Sequence, residues 1–205
     1  MTRTYKMGRR ADARDQTRER ILQATMQLHD EQGVAPTTLT QVARRAGVGP
    51  ATVFRHFPTV NQLVQACGQH VWVEMRPPMP QDAPALFDGI ATTRDRLAKL
   101  IDETDDFYGR GSLRLGLAAR DRELIPELHG FLSAVEAGVE ALVREALAKT
   151  GAREEEIQIV IALTGFPVWT ALNRLGLPRA ELAAMKVRFL ECALRAAGGS
   201  SAPRN

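Results

Sequence analysis

The residues best suited to chemistry lie in a short stretch near the N-terminus, GVGPATVFRHF, which runs from Gly47 to Phe57. Glycine and proline open the stretch, small residues follow, and an arginine and a histidine stand near its end. Small side chains at the start of a helix allow close approach to DNA base edges, and arginine binds guanine or phosphate. These residue types therefore predict contact with double-stranded DNA.

Two short helices must position these residues. Thr38-x-x-Gln41 is a capping box that begins the first, which ends at Gly47. Gly49 and Pro50 begin the second, because proline at the first helical position loses no hydrogen bond. A helix, a glycine turn and a second short helix form a helix-turn-helix, whose second helix enters the major groove. The spacing alone leaves open an ordinary solvated surface, since such strings also arise by chance in all-α proteins.

Charge is distributed unevenly along the chain of 205 residues. Residues 1–60 hold ten Lys/Arg and five Asp/Glu, whereas residues 61–205 hold seventeen and nineteen, within a net charge of only +3. An N-terminal excess of positive charge favours a polyanion as the partner of this part of the chain. We predict a disordered basic tail over residues 1–13.

The remaining pattern predicts an all-α fold of about nine helices, because no strand-like alternation persists. A helix is expected from about Arg14 to Gln32, and Met75 to Pro84 is the best candidate linker. A glycine-broken segment is expected through Gly111. An apolar helix is expected over about Arg153–Leu175, and Gly165-Phe-Pro167 within it is expected to kink it or to free the carbonyl of Leu163. The predicted domains are a three-helix helix-turn-helix domain over 14–60, a C-terminal helical bundle over 61–198 and a disordered tail over 199–205.

A longer motif surrounds the two short helices. It reads TLxxVAxxAGVGxxTVFxHFPxxxxL from Thr38 to Leu63, and Arg20-Ile21-Leu22 and Gly33 precede it. This region, from about Arg18, resembles the DNA-binding region of the TetR family of bacterial transcriptional regulators. The resemblance implies a homodimer that binds a roughly palindromic operator, usually as a repressor, and releases it when a small molecule occupies the C-terminal domain.

The resemblance also implies particular DNA contacts. It places phosphate contacts at Thr38, Phe54, Arg55 and His56, and base-edge contacts at Pro50, Ala51 and Thr52. Three positions depart from the usual pattern: Gly49 replaces a serine, Phe54 replaces a tyrosine and Val60 replaces a lysine. Thr52 and Arg55 are therefore expected to matter most. The full predicted DNA-binding set is Thr38, Thr40, Arg44, Gly49, Pro50, Ala51, Thr52, Phe54, Arg55 and His56.

Two further sets are predicted in the C-terminal bundle, although each residue also suits ordinary core packing. The ligand-binding candidates are Trp72, Met75, Phe87, Phe107, Tyr108, Phe166, Trp169 and Asn173. The last two long helices carry more apolar surface than a monomeric bundle covers, which predicts an isologous dimer interface. Its candidates are Ile161, Val168, Leu172, Leu175, Leu182, Met185 and Phe189.

Other classes of function find little support. Cys67-x-x-His70 has metal-ligand spacing but no second pair, and no phosphate loop or nucleophile elbow is present, so we predict no metal, no cofactor and no catalysis. The chain shows neither a membrane span nor a secretory signal, which favours the cytoplasm. The alternatives that stay open are an activator or effector-independent DNA binder, and a helical small-molecule carrier or enzyme.

Overall fold

The computed structural model describes residues 2–198, with side chains from residue 11 to residue 195. This part of the chain is entirely helical, without a β-strand, and the predicted all-α fold is confirmed. The α-helices are α1 (Thr2–Gln32), α2 (Leu39–Ala46), α3 (Pro50–His56), α4 (Val60–Met75), α5 (Ala83–Leu86), α6 (Thr93–Asp121), α7 (Pro126–Leu147), α8 (Glu154–Thr164), α9 (Phe166–Asn173) and α10 (Arg179–Gly198), and a short 3-10 helix spans Pro80–Asp82.

The chain divides into two compact units. Unit 1 contains residues 2–74 and 113–132, and unit 2 contains residues 75–112 and 133–198. This division differs from the predicted boundary at residue 60, because α4 contributes Leu63 and Cys67 to the same core as α1, α2 and α3. The predicted tail over residues 199–205 lies outside the described residues.

Helix α1 begins at Thr2, although the sequence predicts a helix only from about Arg14 and a disordered tail before it. Eight of the thirteen residues before Arg14 are arginine, alanine, methionine or lysine, which all favour helix. It lacks a periodic apolar stripe, so the pattern that reveals most helices is missing there. Helix formation in this stretch therefore has a basis in residue propensity but not in amphipathic spacing.

The predicted break before Gly111 is wrong, because α6 is continuous from Thr93 to Asp121. Gly111 lies inside this helix, and a Cβ added there would come within 2.1 Å of Met75 Cε. The glycine therefore serves close packing within unit 2 rather than chain reversal. Glycine occurs both at turns that need its backbone freedom and at close contacts that leave no room for a side chain. Sequence alone does not separate these two uses.

The long apolar helix expected near the C-terminus is two helices. α8 ends at Thr164, and Gly165 has an extended backbone (φ −65°, ψ 154°) that serves as the N-cap of α9. Pro167 lies in the first turn of α9, where its missing N–H is tolerated. The proline therefore begins a new helix instead of kinking one helix.

The segment predicted as a linker is packed. Met75 and Pro77 are buried, and the carbonyl oxygen of Pro78 would lie 2.0 Å from a Cβ added at Gly138 of α7. Unit 2 therefore holds this proline-rich segment against α7 by backbone contact. This contact requires glycine at position 138 for reasons of space.

Replacing Gly138 with alanine is expected to lower the free energy of unfolding by about 1–3 kcal/mol, because the backbone of Pro78 must move. Urea unfolding followed by circular dichroism measures the change. Gly130→Ala on the same helix is the matched control, since a Cβ there meets no atom within 4 Å. The control should be neutral or more stable by up to about 1 kcal/mol. Equal effects of the two substitutions would contradict the packing argument.

Each unit has its own apolar core. In unit 1, α1 packs against α2 and α2 against α3, and the core includes Ile21, Leu28, Val42, Val53 and Phe57. This core fixes the two short helices against α1. The core of unit 2 joins α5, α6, α7, α8 and α10, and its members include Leu97, Leu100, Leu142, Val160 and Leu190.

Unit 2 also buries a charged residue, Arg96, which is only 1% exposed. Its Nε donates to the carbonyl of Ala146 at 3.0 Å, and Nη1 donates to the carbonyls of Phe87 at 3.0 Å and Ile90 at 3.3 Å. Nη2 donates to the carbonyl and to the carboxylate of Glu145. The guanidinium thus binds backbone carbonyls near the ends of α5 and α7, where helical partners run out. The carbonyls of Phe87 and Glu145 also accept from the N–H groups of Ile90 and Ala148.

Candidate nucleic-acid interface

Helix α3 is the second helix of the helix-turn-helix and is called the reading helix below. It is positioned by helix caps that the sequence predicts. Thr38 Oγ1 accepts a hydrogen bond from Gln41 N at 3.3 Å, and Gln41 Oε1 accepts one from Thr38 N at 2.8 Å. Gly47 ends α2 in the left-handed conformation (φ 65°), which favours glycine. Gly49 is the N-cap of α3 and Pro50 is its first residue. The predicted helix-turn-helix geometry is confirmed.

One side of α3 is buried and the rest is accessible. Val53 is buried in the core of unit 1, and Phe57 at the end of the helix is buried with it. Phe54, by contrast, is 50% exposed, although it is a large apolar side chain. The ten residues predicted to contact DNA are all exposed or partly exposed: Thr38, Thr40, Arg44, Gly49, Pro50, Ala51, Thr52, Phe54, Arg55 and His56.

The two adjacent arginines of α2 differ in their surroundings. Arg45 Nη1 and Nη2 each donate to a carboxylate oxygen of Glu31 at 2.8 Å, which forms a bidentate ion pair between α2 and α1. This hydrogen bonding lowers the pKa of Glu31. Arg44 and Arg55 are exposed and form no ion pair within the part of the chain that the structure describes. Arg44 and Arg55 therefore keep their full charge available for a polyanion.

Two arginines of α1 join this surface, and the sequence reasoning missed them. The pKa of His56 is lowered by partial burial, then by repulsion from Arg55, Arg14 and Arg18, while Asp15 opposes the shift. The Arg18 guanidinium also lies 5.0 Å from the centre of the Phe57 ring. Arg14 and Arg18 are four residues apart on α1, which places both on one helix face. This spacing was the sequence signal that could have identified them. At neutral pH, His56 is a neutral hydrogen-bonding group beside a cluster of cations.

The turn that leads into α2 is held by a carboxylate far away in the sequence. Asp121 Oδ2 accepts hydrogen bonds from Val34 N at 2.8 Å and Ala35 N at 3.0 Å, and Arg120 Nε donates to Oδ1 at 2.8 Å. Gly33 begins the turn with φ 96°, and a Cβ there would lie 1.9 Å from Arg120 Nη2. These contacts fix the backbone between α1 and the helix-turn-helix.

Unit 1 also contains a cavity of about 650 Å³. Its walls come from the second half of α1, from α4, from the last turns of α6 and from the start of α7, and they are mostly apolar. The lining residues are Met26, His29, Asp30, Val34, Val64, Gln65, Cys67, Gly68, Gln69, Val71, Trp72, Arg114, Leu117, Ala118, Glu127, Leu128, Gly130 and Phe131.

The predicted ligand-binding residues fall in both units. Trp72 lines the cavity of unit 1. Met75 and Phe87 are buried in unit 2, and Phe87 packs in its core beneath Arg96. Asn173 is exposed, and its Nδ2 donates to the carbonyl of Trp169 at 2.8 Å. These locations could not be predicted from the sequence, because they depend on how helices far apart in the sequence pack together.

The other four predicted aromatic residues do come together in unit 2. The Tyr108 ring lies 5.2 Å from the Phe107 ring, 5.4 Å from the Phe166 ring and 5.6 Å from the Trp169 ring. Burial raises the pKa of Tyr108 above its usual value. Trp169 Nε1 and Thr170 Oγ1 are buried without a hydrogen-bond partner within the described residues.

The seven predicted dimer residues differ in exposure. Leu182 is only 3% exposed and packs inside the chain, so its side chain is not free to meet a partner. Ile161, Val168, Leu172 and Met185 are partly buried. Leu175 and Phe189 are 59% and 49% exposed, and α8 adds exposed Ile159 and Leu163, which the prediction did not name.

Cys67 and His70, which have metal-ligand spacing, lie in different surroundings. Cys67 is buried in the core of unit 1, and burial raises the pKa of its thiol to about 12. His70 Nε2 lies 3.3 Å from Glu74 Oε1 on the same helix. Over residues 2–198, none of the helices is both long and apolar enough to span a bilayer.

These features define a class of protein, a helix-turn-helix DNA-binding regulator, and comparison with known proteins agrees. Residues 21–67 match the family model of bacterial regulatory proteins, tetR family. An uncharacterized HTH-type transcriptional regulator of Mycobacterium tuberculosis, Rv2912c, is 28% identical over 192 residues, which cover 89% of this chain and 95% of that protein. The HTH-type transcriptional repressor Rv3405c of the same species is 35% identical over 88 residues, which cover 43% and 46% of the two chains.

Solved structures agree on the fold. Salmonella enterica GusR is similar with a TM-score of 0.53 and 19% identity, covering 87% of this chain and 95% of that one. The hemolysin II transcriptional regulator HlyIIR is similar with a TM-score of 0.52 and 16% identity, covering 85% and 97%. Residues 21–67 form a DNA-binding region of the TetR family of bacterial transcriptional regulators; the chain is a DNA-binding regulator and not an enzyme.

Proposed function

We propose that the protein is a homodimeric repressor that binds a palindromic operator through α3 and releases it when a small molecule binds. The observation that carries this proposal is the capped reading helix, which buries Val53 and leaves Thr52, Phe54 and Arg55 accessible. The likeness to a mycobacterial repressor over 88 residues supports the direction of regulation. A regulator of this kind acts where the DNA lies, which we propose is the cytoplasm.

A dimer gives the proposed release its mechanical basis. Two reading helices in successive major grooves lie about 34–36 Å apart, so a change in their separation costs binding energy. A ligand achieves such a change only if it binds the two conformations with different affinity. The exposed apolar side chains of Ile159, Leu163, Leu175 and Phe189 supply a surface for a second copy, and we propose that α8 and α10 form the interface.

Single substitutions in α3 test the DNA-binding part of the proposal. Duplexes selected from a random pool by the intact protein serve as ligands, and fluorescence anisotropy measures their affinity. Arg55→Ala and Thr52→Ala are each expected to weaken binding by about 5- to 100-fold, the range for loss of one base or phosphate contact. Thr52→Ala should also relax the preference among selected sequences.

The matched control is Arg174→Ala, because Arg174 is an exposed arginine of unit 2 without an ion pair within the described residues. It should bind as tightly as the unaltered protein. The proposal is refuted if no selected duplex binds, or if the control loses as much affinity as Arg55→Ala.

A further inference from the structure

The cavity of unit 1 has the dimensions of a small-molecule site. Its volume of about 650 Å³ lies within the range of about 300–1,000 Å³ that is usual for ligand pockets. It is lined by Met26 and His29 of α1 and by Val64, Val71 and Trp72 of α4, among others. Both helices also hold the reading helix, so an occupant of the cavity touches the support of the helix-turn-helix.

The walls favour an aromatic ligand. Trp72 and Phe131 form an edge-to-face pair with ring centres 5.5 Å apart, and both side chains line the cavity. Leu117, Ala118 and Leu128 add aliphatic surface. Aromatic rings pack well against such walls, and the face of a tryptophan also attracts cations.

The charges of the cavity exclude anions. Its one arginine, Arg114, already binds Asp30 through Nε at 2.9 Å and Nη2 at 3.1 Å, and its Nη1 donates to Glu74. Burial lowers the pKa of His29 to about 4, against the opposing effect of Asp30 and of Asp121, so its imidazole is neutral at physiological pH. A carboxylate or phosphate ligand therefore meets no unpaired positive charge there.

A positive charge, by contrast, finds a partner. The carboxylate of Glu127 lines the cavity and forms no hydrogen bond or ion pair within the described part of the chain. It lies in the first turn of α7, where the helix dipole favours a negative charge. The His29 imidazole also lines the cavity without a hydrogen-bond partner among the described residues, which leaves a neutral polar group for orientation.

We propose that this cavity binds a lipophilic aromatic cation, with Trp72 and Phe131 against its rings and Glu127 as its counter-charge. We further propose that such a cation is the effector, a step that rests on the proposed repressor function. The cavity supplies the coupling, because α1 and α4 line it and also carry Ile21 and Leu63 into the core that packs against α2 and α3. Displacement of either helix by a ligand moves the reading helix.

Two ions of the same shape and opposite charge test the binding site. Tetraphenylphosphonium and tetraphenylborate are titrated separately into the full chain without DNA, and isothermal calorimetry measures each affinity. The phosphonium ion is expected to bind at least about tenfold more tightly than the borate, because charge complementarity separates two ions of equal shape. Equal affinities, tighter binding of the borate or no binding of the phosphonium would each overturn the proposal.

Variants locate the site. Glu127→Gln should weaken phosphonium binding by about tenfold and leave borate binding unchanged or improved. Gly68→Leu should abolish phosphonium binding, because a Cβ at Gly68 meets no atom within 4 Å and the leucine occupies cavity space. Gly116→Leu is the matched control: Gly116 is an exposed helical glycine of unit 1 outside the cavity, so binding should persist. Unchanged binding by Gly68→Leu would place the ligand elsewhere and refute the assignment.

Addition of tetraphenylphosphonium to the complex with a selected duplex then tests the effector role. Release from the duplex by the unaltered protein and by Gly116→Leu, but not by Gly68→Leu, supports it. Binding in the cavity without release would overturn the effector step and leave the site intact. Failure of the protein to bind any duplex refutes the repressor function, while calorimetry without DNA still decides whether the cavity binds the cation.

Discussion

Replacing Arg96 with methionine is expected to lower the free energy of unfolding by about 3–5 kcal/mol. The substitution preserves most of the side-chain volume but leaves the carbonyls of Ile90 and Ala146 without a donor and the carboxylate of Glu145 without its ion pair. The carbonyls of Phe87 and Glu145 lose one donor each and keep the N–H groups of Ile90 and Ala148. Buried acceptors that lose their partner carry the full cost of their desolvation. Urea unfolding should show a lower midpoint with an unchanged slope, because the same surface is exposed on unfolding.

The matched control for this prediction is Arg94→Met on the same helix. Arg94 is 66% exposed and lies 3.5 Å from Glu191, a surface ion pair that contributes little to stability. Its replacement should change the unfolding free energy by less than about 1 kcal/mol. Arg96→Lys should fall between the two variants, since a lysine ammonium cannot match the forked geometry of the guanidinium. A midpoint for Arg96→Met equal to that of Arg94→Met would contradict the role assigned to Arg96.

Replacing Asp121 with alanine is expected to cost about 2–4 kcal/mol of unfolding free energy, because Val34 N and Ala35 N both lose their acceptor. DNA affinity should fall as well, since these bonds hold the turn between α1 and α2. Asp102→Ala, an exposed aspartate of the same helix without a hydrogen bond among the described residues, is the control and should change neither property. A normal DNA affinity in Asp121→Ala would show that the turn needs no such anchor.

The effect of Asp121 also has a defined pH dependence. Hydrogen bonding by Arg120, and then the N–H groups of Ala35 and Val34, lower the pKa of Asp121 below its usual 3.8. The charged form is thus favoured in the folded state, so its stabilisation is complete above pH 3.8 and disappears as the pH falls through the folded-state pKa. Urea unfolding across this range should therefore show the difference between Asp121→Ala and the unaltered protein narrowing only in acid.

The reading helix and its caps could be predicted because their signals are local. The capping box of Thr38 and Gln41 spans four residues, and Gly47 and Pro50 mark helix ends by their own backbone preferences. The alternation of Val53 and Phe57 with exposed neighbours likewise follows from helical spacing. Each of these signals lies within a few consecutive residues.

The anchors of unit 1 could not be predicted, because their partners are far apart in the sequence. Asp121 binds the backbone of Val34, 87 residues away, and Arg114 binds Asp30, 84 residues away. No periodicity links such pairs, and a charged residue on a helix is more often solvated than paired. The cavity was missed for the same reason: it exists only where α1, α4, α6 and α7 leave space.

The ion pair between Arg45 and Glu31 has a consequence for how the protein responds to salt. Cations condensed on DNA leave when an arginine replaces them, and each phosphate neutralised adds about 0.9 to the slope of log affinity against log salt. Arg45 already has its counter-charge in Glu31, at 2.8 Å from each terminal nitrogen, whereas Arg44 beside it does not. We therefore expect α2 to displace one condensed cation where its sequence shows two arginines, so that DNA affinity should fall less steeply with ionic strength than a count of basic residues suggests.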